Sequence, residues 1–190
     1  MHDEPLWCFI GLGNKGNEYI HTRHNIGRDF VRYLEKEEVF IKLNSKNTRH
    51  YILNKFKYNE VNFYTAILKT YMNLSGQALK ILSENENIAL EQICVVVDDF
   101  NIPLEQFKIR LKGSSGNHKG LQSIIDTFQT TNLARIRIGI GPLSGIPTDF
   151  VLQKFSKEEL KKLPHVLENF ISIIKTILGK GFEVAMNNFN

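Results

Sequence analysis

The sequence predicts an α/β fold: one domain in which a mixed, largely parallel β-sheet is flanked by helices. Segments rich in apolar and β-branched residues alternate with segments of helical periodicity, as in layered α/β folds. The chain has 190 residues, of which 42% are hydrophobic, so it is long enough to bury one core. Residues 93–97 are continuously apolar, as in a central strand covered on both faces. We therefore expect residues 1–190 to form a single domain.

The first third of the chain predicts a strand, a loop, a helix and a hairpin. Residues 6–10 form a short apolar run, whereas helical periodicity begins only near Ile26, so a polar loop connects the two elements. Residues 51–57 and 61–68 are β-rich and flank a short turn, which favours an antiparallel hairpin.

The middle of the chain continues the alternation of helix and strand. In order, the pattern predicts a helix at 74–82, a strand at 93–97 that ends at Asp98, an edge strand at 107–111, a helix at 121–128 and a strand at 136–140. In open α/β sheets ligands bind outside the carboxyl ends of the strands. His24 and Asp98 both fall at such ends.

The remainder of the chain predicts one long helix. Ser156 and Glu159 form a capping-box pattern, and apolar residues then recur at helical spacing. We expect Pro164 to open this helix and Gly179 to close it.

Two glycine-rich segments resemble nucleotide-binding motifs, but neither one matches its motif fully. Gly11, Gly13 and Gly16 fit the spacing G-x-G-x-x-G, but in a dinucleotide site the helix starts inside the glycine turn, and here it starts much later. The loop at 113–120 places His118 where the second glycine of a phosphate-binding loop belongs.

The six histidines do not predict a metal centre. His21 and His24 are three residues apart, but they lie in a predicted loop and no H-E-x-x-H or cysteine/histidine cluster accompanies them. We therefore do not expect a zinc site.

His24 is the strongest candidate for chemistry because its neighbours are polar and complementary. A neutral imidazole takes a proton from water efficiently when an acceptor holds its other nitrogen. Asp98 is the favoured acceptor, Asp99 is its rival, and a turn or helix-cap role is the alternative for Asp98. Asn14 and Asn73 carry amides that can donate to a developing oxyanion. This set predicts a hydrolase that activates water.

The charge gives a mild preference for an anionic partner. Lys and Arg total 24 against 20 Asp and Glu, for a net charge of +4, which is also compatible with an ordinary basic protein. Cationic residues flank the second glycine-rich loop and are candidates for phosphate contacts, with solvated surface charge as the alternative; they are Lys108, Arg110, Lys112, Lys119, Arg135 and Arg137.

Composition predicts a reducing, cytoplasmic location. The two cysteines, Cys8 and Cys94, lie in apolar runs and are typical of core residues rather than of a disulfide framework. We expect neither a secretory leader nor a membrane span, because no run of about 18 apolar residues occurs.

Several separated blocks in the chain resemble bacterial-type peptidyl-tRNA hydrolases. They read G-L-G-N-x-G-x-x-Y-x-x-T-R-H-N-x-G, T-Y-M-N-L-S-G, D-D-x-x-x-P, G-S-S-G-x-H-x-G-L-x-S-I and R-I-R-I-G-I-G, from about residue 7 to the A-M-N-N-F-N at the end. The resemblance implies a monomer that cleaves the ester between peptide and tRNA without a metal or cofactor, and so recycles tRNA from abortive translation.

The resemblance also implies roles for individual residues. His24 would be the general base, Asp98 would orient it, and Arg110 and Arg137 would be the preferred phosphate contacts. The residues it implies in substrate and tRNA binding are Asn14, Tyr19, Asn25, Tyr71, Asn73, Lys108, Arg110, His118, Lys119 and Arg137.

Three positions depart from the family pattern. Lys15 stands in place of a usual proline, Lys119 in place of an asparagine, and Pro142 in place of a basic residue. A lysine donates but does not accept hydrogen bonds, so any acceptor role of that asparagine is lost or moved.

Two other functions remain open at this level. One is a non-catalytic RNA-binding module, like the plastid relatives recruited to intron splicing, which Lys119 mildly favours and the retention of His24 and Asp98 disfavours. The other is a carboxylesterase for small substrates, whose turnover would be insensitive to salt.

Overall fold

A computed structural model describes residues 6–190, which contain one seven-stranded sheet. The strands are β1 (Cys8–Gly11), β2 (Ile41–Asn47), β3 (Tyr51–Tyr58), β4 (Val61–Leu68), β5 (Ile93–Pro103), β6 (Phe107–Arg110) and β7 (Ala134–Gly141). Their order across the sheet is β2-β3-β4-β1-β5-β7-β6. The central strands β4, β1, β5 and β7 are parallel, and β2, β3 and β6 pair antiparallel at the two sides. The predicted mixed sheet is confirmed.

Five α-helices cover the sheet within the described residues. They are α1 (Ile26–Tyr33), α2 (Ser75–Glu86), α3 (Lys119–Phe128), α4 (Pro147–Leu152) and α5 (Lys157–Phe189). Gly181 interrupts α5, with φ 84° and ψ 172°. None of the helices in this part of the chain combines the length and apolar character needed to cross a bilayer.

The core lies on both faces of the sheet because the central strands carry apolar side chains on both of their faces. In β5, Cys94 and Val96 point towards the layer that contains α1 and α5, whereas Val95 and Val97 point towards α2 and α3. Burial raises the pKa of the Cys94 thiol far above its usual value, and the same holds for Cys8. Both cysteines are free and act as core residues.

The outer edge of β6 is closed by a side chain. The Asn190 side chain accepts a hydrogen bond from the Ile109 main-chain N–H at 2.6 Å and donates one to the Ile109 carbonyl oxygen at 3.3 Å. The amide therefore occupies the pairing groups that an eighth strand would use.

The first strands differ from the sequence-based prediction in one omission. The hairpin of β3 and β4 and the start of α1 at Ile26 are confirmed, whereas β2 was missed. Every residue of β2 is exposed, so the strand lacks the buried alternation by which strands are recognised, and its pairing with β3 holds it in place.

The carboxyl half differs in the length of two elements. β5 does not end at Asp98, because β7 continues to pair with it beyond the last residue of β1. α5 begins at Lys157 under the predicted capping box, so Pro164 lies inside the helix instead of opening it. Gly179 also lies inside, and the helical conformation is broken at Gly181. The short helix α4 was not predicted.

The contact of α1 with β5 requires a glycine, which gives a stability prediction. A Cβ added at Gly27 would lie 2.2 Å from the Val96 carbonyl oxygen, so backbone would have to shift. We expect Gly27→Ala to lower the free energy of unfolding by about 1–3 kcal/mol, measured by urea denaturation.

Gly179→Ala is the matched control, since an added Cβ there meets nothing within 4 Å on α5. It should raise stability by about 0.4–1 kcal/mol. Equal effects of the two substitutions would contradict the packing argument.

Candidate active site

A cavity of about 380 Å³ opens at the carboxyl ends of the parallel strands. Residues that follow β1 and β4 and the last part of β5 meet there because parallel strands end at one edge of the sheet. Nine of the sequence-predicted site residues line it: Asn14, Tyr19, His24, Tyr71, Asn73, Asp98, His118, Lys119 and Arg137. The helix α4 forms a further wall through residues such as Val151 and Leu152.

His24 and Asp98 are in direct contact, although they are far apart in the sequence. The His24 Nδ1 lies 2.8 Å from the Asp98 Oδ1, and both side chains are buried. His24 lies in a short 3-10 helix, Arg23–Asn25, rather than in an irregular loop, so its backbone is fixed two residues before α1 begins. Its relative exposure of 7% is small but it lines the cavity.

His118 contacts the same carboxylate oxygen, and its ring centre lies 4.9 Å from that of His24. Its Nε2 lies 3.1 Å from the Asp98 Oδ1, and its Nδ1 accepts hydrogen bonds from the main-chain N–H groups of Gly120 and Leu121. An Nδ1 that accepts carries no proton, so the Nε2 must carry it and donate to Asp98. His118 is therefore the N-cap of α3 and a donor to the carboxylate at once.

The charges in this cluster are set by burial and by the two rings. Burial raises the pKa of Asp98, but the charge interactions and hydrogen bonds of His24 and His118 outweigh it and hold the pKa well below its usual value. Asp98 is thus ionised and accepts from both imidazoles. Burial is the largest influence on His118 and lowers its pKa.

The hydrogen bonds define what His24 is able to do. Because an ionised carboxylate only accepts, the His24 Nδ1 donates to it, and the neutral ring leaves Nε2 as a proton acceptor. Asp99, the rival carboxylate, also lines the cavity, but its Oδ1 accepts from the main-chain N–H of Asn101 at 2.9 Å. Successive residues of a strand face opposite sides, which separates the two aspartates.

Asn14 is held so that its amide nitrogen is available to the cavity. Its side-chain oxygen accepts from the Met72 N–H at 2.8 Å, which leaves Nδ2 with no partner among residues 6–190. The Asn25 side chain pairs with the Asn14 main chain in both directions, at 2.8 and 3.1 Å. Asn25 does not line this cavity; it supports Asn14 from behind.

Asn73, Tyr19 and Tyr71 line the mouth of the cavity. Asn73 is exposed in a short 3-10 helix before α2. Tyr71 is also exposed; its ring lies edge-on to Tyr19 at 6.3 Å, and the Lys15 ammonium lies 4.9 Å from its centroid. Lys15 therefore contacts an aromatic ring at the rim.

Arg137 forms part of the opposite wall. Its Nε lies 3.0 Å from the Asp99 Oδ2, at an angle that does not meet hydrogen-bond geometry, so the contact is an ion pair. The guanidinium packs over Gly116, where an added Cβ would lie 2.2 Å from an Nη atom. Gly116 also has φ 58°, which favours glycine.

Lys108 and Arg110 lie on the edge strand of the sheet and Lys112 follows that strand, and none of the three lines the cavity. Lys108 is exposed on β6 and pairs in register with Arg137, while Arg110 pairs with Arg135. Directly opposite residues of an antiparallel pair point to the same face, so these side chains share the face of α2 and α3.

Arg135 departs from the prediction of a phosphate contact. It is 1% exposed, and its guanidinium donates to the carbonyl oxygens of Leu133, Gly113, Ser114 and Thr131. It fixes the glycine-rich loop and has no surface for an external anion. Sequence alone did not distinguish this buried arginine from the exposed ones.

Three side chains in the site have ligand-like proximity, but their hydrogen bonds do not suit a metal. The candidate ligand atoms of His24, Asp98 and His118 lie within 4.8 Å of one another. A metal on His118 Nε2 would require that nitrogen to lose its proton while Nδ1 still accepts two N–H groups, and a neutral imidazole has only one unprotonated nitrogen.

Sequence reasoning missed several residues of the cavity. Phe100, Asn117 and the α4 residues Pro147, Thr148, Val151 and Leu152 all line it. Proline at the first position of α4 is a helix-start signal that was available in the sequence. Phe100 carried no distinguishing pattern.

Comparisons with known proteins agree on one family. A sequence profile described as "Peptidyl-tRNA hydrolase" matches residues 8–190. Proteins named peptidyl-tRNA hydrolase from Methylacidiphilum infernorum and Cytophaga hutchinsonii are each 39% identical to this chain; the first alignment covers 95% of this chain and 96% of the relative, and the second covers 97% of each.

Solved structures of the same enzyme have the same fold. A crystal structure of peptidyl-tRNA hydrolase from Acinetobacter baumannii has a TM-score of 0.85 at 29% identity and covers 96% of this chain and 93% of its own. A complex of peptidyl-tRNA hydrolase with N-propanol has a TM-score of 0.85 at 30% identity, with the same coverage.

The neutral state of His118 predicts a loss of stability in acid. The unfolded chain takes up a proton at this histidine below about pH 6.5. In the folded protein His118 is protonated only at a lower pH, because burial lowers its pKa. The contribution of His118 to the free energy of unfolding is therefore fully present above about pH 6.5. It is lost as the pH decreases further, by at most about 1.4 kcal/mol per pH unit.

The measurement is the free energy of unfolding in urea of the wild type and His118→Asn at pH 8 and pH 5.5. Asparagine is a good N-cap but does not titrate, so the wild type should lose more stability between the two pH values. Parallel losses in both proteins would exclude His118 as the titrating group.

Proposed function

The chain belongs to the peptidyl-tRNA hydrolase family and hydrolyses the ester of peptidyl-tRNA, and we propose that His24 is the general base and Asp98 the group that orients it. The reaction releases free tRNA and peptide and so recycles tRNA from abortive translation. The observation that carries the assignment of roles is the 2.8 Å contact of His24 Nδ1 with Asp98 Oδ1, which leaves Nε2 unprotonated at the cavity wall.

In the proposed mechanism, water adds to the carbonyl carbon of the ester. The His24 Nε2 takes one proton from the water as the C–O bond forms, and Asp98 stabilises the imidazolium through Nδ1–H. The tetrahedral intermediate then expels the ribose oxygen of tRNA, which receives the proton back from Nε2. The peptide leaves as a carboxylic acid and then ionises, so protons and atoms balance.

Asn14 and Asn73 are the proposed oxyanion and substrate donors. The Asn14 Nδ2 is free because its Oδ1 is already used by the Met72 N–H, so the amide cannot turn without losing that bond. A fixed donor aimed at developing charge costs no reorganisation in the transition state. Removal of one such donor typically costs about 2.7–4 kcal/mol of transition-state stabilisation.

His118 has a supporting role in this scheme. It donates to the same Asp98 oxygen as His24 and is itself fixed by the first turn of α3. The carboxylate is thereby held at one position and kept ionised at neutral pH. Lys119, the next residue, is exposed in the cavity lining and supplies a positive charge near the substrate.

The tRNA is bound through its phosphates by cations beside the cavity. Arg137 lines the cavity, and Lys108 and Arg110 lie on the adjacent edge strand. Such contacts position the backbone without reading sequence. Tyr19 and Tyr71 offer aromatic faces at the rim on which an end base or peptide side chain stacks.

We propose that residues 1–190 act as one domain, as a monomer in the cytoplasm, with neither metal nor cofactor. The hydrogen bonds of His118 support the absence of a metal at this ring, because its Nδ1 accepts from two main-chain N–H groups.

Truncation of the base tests the assignment of roles. We expect His24→Ala to lower kcat/KM for an N-acetylated aminoacyl-tRNA by about 10²–10⁴, because no other group replaces the imidazole nitrogen. His21→Ala is the matched control: His21 is three residues away, exposed, 3.3 Å from Asp29 and absent from this cavity lining.

Retained hydrolysis in His24→Ala would reject the proposed base. Binding of tRNA should be unchanged in this variant, which separates loss of chemistry from loss of affinity. Unblocked aminoacyl-tRNA should be cleaved more slowly than the blocked substrate by the wild type; equal rates would contradict a peptidyl-tRNA preference.

Salt dependence tests the phosphate contacts. If Arg137 neutralises one phosphate, Arg137→Gln should reduce the slope of log affinity for tRNA against log salt concentration by about 0.7–0.9. The control is Lys57→Gln on β3, which pairs with Glu60 near the amino ends of the parallel strands. An unchanged slope in the arginine variant would remove it from the phosphate-binding set.

A further inference from the structure

One buried charge next to the general base has no part in the mechanism so far. Arg23 precedes His24 in the same short 3-10 helix and is only 6% exposed. Burial of a charge is costly unless it is paired, and a hydrophobic residue of similar volume often serves stability equally well. Stability alone therefore does not explain why an arginine is buried at this position.

The guanidinium is held by groups from the start of α5. The Arg23 Nη2 lies 2.8 and 2.7 Å from the two carboxylate oxygens of Glu159. Nη1 donates to the Lys154 carbonyl oxygen. The same Glu159 carboxylate accepts from the Ser156 main-chain N–H at 2.7 Å and completes the capping box of α5. The guanidinium is thus bound to the first turn of α5, which the capping box stabilises.

Two aromatic rings enclose the guanidinium. Its Cζ lies 4.6 Å from the ring centre of Phe150 and 5.0 Å from that of Phe155, and both rings are buried. Phe150 belongs to α4, whose residues Val151 and Leu152 line the catalytic cavity. Arg23 therefore contacts the cavity wall from behind.

The backbone reinforces these side-chain contacts. The Arg23 N–H donates to the Gln153 carbonyl oxygen at 2.9 Å, and Thr22 and Lys154 form an isolated antiparallel bridge. The turn that carries His24 is thus joined to the segment between α4 and α5 by main chain and side chain together.

We propose that Arg23 is a positioning residue for hydrolysis: by binding Glu159, Phe150 and Phe155 it sets the orientation of the His24 ring towards Asp98 and places the α4 wall opposite it. The inference rests on the proposed role of His24 as base. Catalytic groups must be held to about 0.5 Å, and a displacement of about 1 Å costs roughly a hundredfold in rate.

Lysine is not expected to replace this arginine. A lysine ammonium is a compact point charge that cannot lie flat between two rings while it donates to Glu159 and to a carbonyl. We expect Arg23→Lys and Glu159→Gln each to lower kcat for N-acetylated aminoacyl-tRNA by about ten- to a hundredfold with little change in KM. The double variant should be no slower than the slower single variant, because both break one pair.

A second readout reports the geometry directly. The proton on the His24 Nδ1 is shared with Asp98 and should give a slowly exchanging signal in proton NMR. In Arg23→Lys that signal should broaden or be lost while the amide spectrum remains that of a folded protein. A purely structural role elsewhere in the fold would leave it unchanged.

Ser156→Ala is the matched control. It removes the side-chain half of the α5 capping box, 3.2 Å from the Glu159 N–H, and leaves the pair with Arg23 intact. It should lower the melting temperature without lowering kcat. If Ser156→Ala lowers kcat as much as Arg23→Lys at equal loss of stability, the positioning role is refuted.

The remaining outcomes separate this inference from the proposed function. Wild-type kcat and the wild-type NMR signal in both Arg23→Lys and Glu159→Gln would overturn the role of Arg23, as would a rise in KM alone. If His24→Ala is inactive in that case, the assignment of the base stands without it. An active His24→Ala would remove the basis of both.

Discussion

The site depends on one carboxylate oxygen that accepts hydrogen bonds from two imidazoles. The Asp98 Oδ1 lies 2.8 Å from His24 and 3.1 Å from His118, and these rings come from different elements of the fold. Because the second ring also caps α3, the helix, the carboxylate and the His24 imidazole are fixed relative to one another. The buried ion is tolerated because two donors replace its water.

The sheet supplies the geometry that this interaction requires. Parallel pairing of β1 with β5 brings the loop after Gly11 alongside Asp98, and β5 continues past β1 because β7 still pairs with it. The carboxylate therefore lies on rigid strand at the edge of the cavity. The His24 imidazole contacts this carboxylate from the short 3-10 helix Arg23–Asn25, and the ion pair of Arg23 with Glu159 holds that helix in place.

The sequence predicted what depends on local pattern and missed what depends on the tertiary environment. Apolar strands, the hairpin and the capping box at Ser156 follow from periodicity and turn chemistry, and all were found. The choice of Asp98 over Asp99 follows from strand alternation only once the facing helix is known. Arg135 is buried, whereas Arg137 is partly exposed, and neither charge nor spacing in the sequence reveals that difference. The exposed strand β2 lacked any apolar alternation to reveal it.

The amide of Asn190 has a consequence for the basic edge of the sheet. β6 carries Lys108 and Arg110, the proposed phosphate contacts, and an unpaired strand edge is also a template for another polypeptide. With the Ile109 groups already bonded, intermolecular strand addition would first have to displace a side chain. Self-association through cross-strand pairing is thereby discouraged at the edge proposed to bind tRNA, and the positive charges of that edge are retained.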